Sequence, residues 1–119
     1  MYGNSPYEPK SRRQPWMDLG ELRKTVLTLL EEHRVDVPWD HILAEGHDVT
    51  DEEIRTTLAR GLFESHDLVD GRYVATYLER GLPLAIVVVF ELRELGGERR
   101  IQVLTAYHAE TGRGRVRGR

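Results

Sequence analysis

Leu84-Ala85-Ile86-Val87-Val88-Val89-Phe90-Glu91-Leu92 is the longest apolar run in the chain, and its reading decides the fold. β-Branched residues dominate it, which marks a strand covered on both faces. It is far shorter than the ~20 residues a membrane helix needs. A packed domain must therefore be built around it.

Outward from that strand the turn signals are regular. On its N-terminal side, Glu79-Arg80-Gly81-Leu82 reads as a turn, and Pro83 limits ladder bonding at the strand entrance. Arg72–Leu78 is the preceding strand, and Asp70-Gly71 is a two-residue hairpin signal that joins it to a strand over Phe63–Val69. On the C-terminal side, Gly96-Gly97 turns the chain into a strand over Arg99–His108. The pattern predicts an antiparallel meander of three to four strands.

Helical periodicity precedes the sheet. Asp18 and Glu21 have capping-box spacing, and Leu19, Leu22, Val26, Leu29, Leu30 and His33 share one helical face. His33 ends that stripe, where a cation suits the helix dipole. Val37–Glu45 reads as a short second helix, with Pro38 in its first turn and Gly46 as its stop. Thr50 and Glu53 form a capping box, flanked by Val49 and Ile54 as a hydrophobic staple, and fix the start of a third helix at Asp51. The expected fold class is α+β: two or three N-terminal helices packed on one face of the meander. Residues 1–17, with Pro6, Pro9 and Pro15, read as a flexible arm, 18–108 as one domain, and 109–119 as a basic flexible tail.

The bulk numbers narrow the function. The chain has 119 residues and no cysteine, which excludes disulfides, thiolate zinc sites and cysteine nucleophiles. The N-terminus has no apolar signal core, so a cytoplasmic protein with no membrane partner is expected. Net charge is -3, but residues 18–70 carry 14 acids against 5 bases, while the tail carries Arg113, Arg115, Arg117 and Arg119 against Glu110. A body that grips nucleic acid is usually basic. Here only the arms are, so those four tail arginines are the expected nucleic-acid contacts.

Strand alternation sorts the sheet residues. With symmetric pairing across the turns, one face gathers Tyr73, Ala75, Tyr77, Leu84, Ile86, Val88, Phe90, Leu92, Ile101, Val103, Thr105 and Tyr107, and the helices should cover it. The other gathers Arg72, Val74, Thr76, Ala85, Val87, Val89, Glu91, Arg93, Arg100, Gln102, Leu104, Ala106 and His108. Arg72, Glu91, Gln102 and His108 are its chemically capable residues, an arginine, a carboxylate and an imidazole being enough to hold a phosphate and move protons. The plainer reading of the same residues is cross-strand charge pairing. Ser65-His66-Asp67 is contiguous and cannot form a triad. His41 and His47 have no metal-pair spacing on one helix, and no glycine-rich loop follows a strand. No cofactor or metal is expected.

Two resemblances follow from these motifs. The order of helices and the L-V-D-G-R-Y-V hairpin over residues 18–78 resembles the architecture of a winged helix, whose third helix would enter the DNA major groove. Residues 41–108 resemble the uncharacterised bacterial domain-of-unknown-function family 4258, through His41, V-T-D-E-E-I at 49–54, G-R-Y-V at 71–74, the strand 85–90 and V-L-T-A-Y at 103–107. That family is similar to RelE- and barnase-like ribonuclease toxins. The resemblance implies RNA binding or metal-independent RNA cleavage. It carries over His41, Arg72, Thr105 and Tyr107. In that scheme His41 or His108 serves as base or acid, Arg72 as the phosphate-binding cation and Tyr107 as a hydrogen-bond donor. The reading that competes with it is a non-enzymatic interaction domain, homodimeric through the sheet face that the helices leave open.

Overall fold

In the computed structural model of the chain, which describes residues 18–78 and 84–110 together with the backbone of 11–13, the central strand is longer than its apolar run. It spans Leu84–Leu95 (β5) and pairs along its length with Glu98–Glu110 (β6). The turn between them is Gly96-Gly97, both with positive φ (63° and 82°), the geometry of a type I′ hairpin whose twist matches its strands.

Four strands form the expected antiparallel meander: Leu62–Ser65 (β3), Arg72–Leu78 (β4), β5 and β6. Two further strands were not foreseen. Val35–Asp36 (β2) pairs in parallel with Ile101 and Gln102 of β6, and Ser11–Arg13 (β1), inside the stretch expected as an arm, pairs with Arg93–Leu95 of β5. The sheet is therefore mixed, in the order β2-β6-β5-β4-β3, with β1 beside the end of β5. The turn expected at 79–82 and the basic tail at 111–119 lie outside the described residues.

The helices are Leu19–Glu31 (α1), Trp39–Ala44 (α2) and Asp51–Arg60 (α3). The Asp18 carboxylate accepts from the amides of Gly20 and Glu21 at the start of α1. The Thr50–Glu53 capping box is complete, and its staple residues Val49 and Ile54 are buried. His33 does not end the apolar stripe. It takes φ 58°, with its amide on Leu30 O and the Arg34 amide on Leu29 O, which closes α1 in a Schellman motif.

One core joins the layers. Leu22, Val26 and Leu29 of α1, Ile42 of α2, and Ile54 and Leu58 of α3 pack against Tyr73, Ala75, Val88, Phe90, Leu92, Ile101, Val103 and Ala106. Two side chains and one glycine fix how α3 meets the sheet. The Arg23 guanidinium donates to the carbonyls of Ala59 and Gly61 and lies 4.5 Å from the Phe63 ring centroid. Gly61 passes so close to β4 that a Cβ there would stand 2.8 Å from Thr76 O.

Two expectations of register fail, each for a physical reason. Asp70-Gly71 does not make a two-residue hairpin: Ser65 pairs with Tyr73, His66 donates its amide to Arg72 O, and Gly71 turns the end of a longer loop. This pairing sets Phe63 opposite Ala75 on the helix-covered face, where its ring meets Phe90 at 5.5 Å between centroids. The two-residue turn would have thrown Phe63 to the other face. The second failure is a bulge in β6. Phe90 pairs with Val103 but Val89 pairs with Thr105, so Leu104 is the extra residue. Beyond it the faces exchange. Ala106, opposite Val88, is fully buried against the helices, and His108, opposite Ile86, follows it. Thr105 and Tyr107 pass to the second face.

Candidate functional site

The second sheet face opens on a charged row. Arg72 of β4, Glu91 of β5 and Gln102 of β6 stand in register, and Asp36 of β2 stands opposite Gln102. Glu91 is fully buried. Its Oε2 accepts from Arg72 Nε at 2.8 Å, and its Oε1 lies 2.8 Å from Arg93 Nη2. A carboxylate removed from water is tolerable only when paired this closely. In the next row Arg100 stands opposite Arg93 and binds Asp36 through two bonds of 2.7 and 3.0 Å, with Glu98 beyond it. Hydrogen bonding to Asp36 holds the Arg100 proton more firmly than usual, against a small opposing effect of burial. Arg72, Arg93 and Arg100, with Arg34 on Glu98 at 2.9 Å, are thus matched by Glu91, Asp36, Glu98 and Glu32.

Up the sheet from this row the face turns apolar. Val74 and Thr76 of β4, with Ala85, Val87 and Val89 of β5, alternate with the residues that meet the helices. Ala85 and Val87 are buried and Val74, Thr76 and Val89 half-buried, yet none of them belongs to the core that the helices build.

The expected catalytic residues do not gather on this face. Arg72 is there, bound to Glu91. His108 is on the opposite face, its Nδ1 3.3 Å from Asp48 Oδ1 and its Nε2 3.3 Å from Glu53 Oε2. The bulge at Leu104 put it there. His41, on α2, reaches Glu45 Oε2 at 3.2 Å. Tyr107 packs its ring on His47 at 5.6 Å between centroids, and Thr105 Oγ1 donates to Glu45 at 3.4 Å. His41, Thr105 and Tyr107 therefore do converge, around Glu45 and His47, while Arg72 pairs with Glu91 two strands from β6.

The second cluster is acidic. Glu45, Asp48 and Glu53 supply its carboxylates, and Asp51 and Glu52 open the same helix turn as Glu53. Burial pushes the Glu53 carboxyl up. Its bonds to the Thr50 amide and His108 ring outweigh that and hold it below the ordinary glutamate range. Asp51 also takes the Arg55 guanidinium at 2.9 Å, which occupies a basic group that α3 would have offered to DNA phosphates. Among the described residues no group of three or more His, Cys, Asp or Glu has metal-holding geometry, and no helix is long and apolar enough to cross a membrane.

Sequence reasoning missed His47 as the partner of Tyr107 and Glu45 as the partner of Thr105. The available signal was the break in alternation at Val103-Leu104, where two apolar residues adjoin before small Ala106. Comparison with protein families, curated proteins and solved structures returned no match.

Proposed function

We propose that the chain is a non-enzymatic interaction domain that associates with a second copy of itself through the second sheet face. The observation that carries this reading is the composition of that face: an apolar patch of half-buried Val74 and Val89, beside arginines paired with Glu91, Asp36 and Glu98. Two copies of a neutral, apolar-centred face can meet without charge repulsion. A phosphate backbone would require an uncompensated positive surface. The acidic helical layer is a poor self-association surface for the converse reason.

The separation of Arg72 from His41 and His108 weighs against RNA cleavage, because phosphate chemistry needs the cation beside the proton-transfer groups. Light scattering on the full chain tests the proposal. A particle of twice the 13.8 kDa chain mass is expected, with conversion to monomer in Val89→Glu and in Val74→Glu. A wild-type monomer at high concentration would refute it. Labelled RNA mixed with the full chain at low salt is expected not to be cut, and cleavage there would restore the ribonuclease reading.

A further inference from the structure

The titratable groups left unused by that interface collect where residues 45–50 connect α2 to α3. His108 has one ring nitrogen on Asp48 and the other on Glu53, each at 3.3 Å. A neutral imidazole carries one N–H and can donate to only one of them; the other nitrogen would set its lone pair against a carboxylate oxygen. The imidazolium satisfies both. Glu45 repeats the arrangement in reverse, with its two oxygens 3.2 Å from His41 Nε2 and 3.4 Å from His47 Nε2. Glu45, Asp48 and Glu53 touch these three rings, and Tyr107 packs against His47. Asp51 and Glu52 add charge of the same sign on the helix turn of Glu53.

The backbone explains what this cluster restrains. Ile42 and Val49 are buried in the core, but Leu43 to Gly46 and Asp48 between them are exposed. Beyond Gln102, no strand among the described residues pairs with the outer edge of β6. Residues 45–48 meet that edge through side chains alone: Glu45 with Thr105, His47 with Tyr107, and Asp48 with His108.

We propose that residues 45–48 are a proton-operated clamp on the outer edge of β6, closed when His108 is a cation bridging Asp48 and Glu53 and loosened when it is neutral. Imidazole is the side chain whose charge is generally most responsive to pH near neutrality. The clamp has an acid limit as well. The Glu53 carboxyl is held below its ordinary range, so its contribution persists down to that lowered value and is lost as pH falls through it.

Amide hydrogen exchange on the full chain, corrected for the intrinsic pH dependence, tests this. Amides of residues 45–48 and 105–108 are expected to open about fivefold more often at pH 8 than at pH 6, the scale of partly exposed ion pairs. His108→Gln should flatten that difference. His108→Arg, a permanent cation, should keep the segment closed at both values. Asp48 is 91% exposed, so Asp48→Asn should reduce the pH difference without disturbing the fold. Equal protection at both pH values, or a wild-type difference persisting in His108→Gln, would overturn the clamp.

Discussion

His33 shows how far a single side chain can depart from its sequence context. Periodicity places it on the apolar stripe of α1, yet its φ of 58° makes it the left-handed residue that ends the helix, a position glycine usually fills. A side chain in that region costs roughly 1 kcal/mol or more. His33→Gly is therefore expected to raise unfolding stability by about 0.5–1 kcal/mol, read from urea midpoints at constant slope. Because His33 is exposed, no packing is lost to offset the gain. The sequence hid this because the competing Schellman closure depends on Arg34 continuing into β2. The capping of α3 was legible for the opposite reason: Thr50 and Glu53 act within one turn, so spacing alone determines their bonds.

At the scale of elements, the bulge at Leu104 decides which residues share a face. Gly96-Gly97 was legible as a turn because positive φ selects glycine, whereas the bulge carries no such residue signature. Its cause is burial: with the extra residue, Ala106 fits under the helices and Tyr107 does not have to. Deleting Leu104, the extra residue, would straighten β6 and leave Thr105, Ala106, Tyr107 and His108 opposite the same partners on β5. We expect a loss of about 1 kcal/mol, the centre of the ordinary range for single changes, with the Tyr107 ring contact to His47 retained in aromatic NMR spectra. The same bulge explains why the candidate residues were sorted to the wrong faces. Symmetric pairing from the turn was right for Arg93 with Arg100 and Glu91 with Gln102, and failed past Phe90.

Across the whole molecule, the α+β layering was readable because helical and strand periods occupy separate stretches. The mixed character of the sheet was not, because β2 is two residues long and has no period to detect. Those two residues join distant parts of the chain. Arg34 O accepts from the Ile101 amide, and Asp36 grips Arg100 in β6. Such a closure carries an entropic cost that grows with the intervening loop. The β5–β6 hairpin, closed by two glycines, can form first and present Ile101 and Arg100 ready-made. The attachment of β2 is then a late event on the folding route. Asp36→Ala should accordingly accelerate unfolding several-fold and leave the refolding rate nearly unchanged in stopped-flow experiments. A matching fall in the refolding rate would instead place this clasp in the nucleus. The parallel strand thus works as a kinetic fastener: it governs how long the native state lasts more than how quickly it is reached.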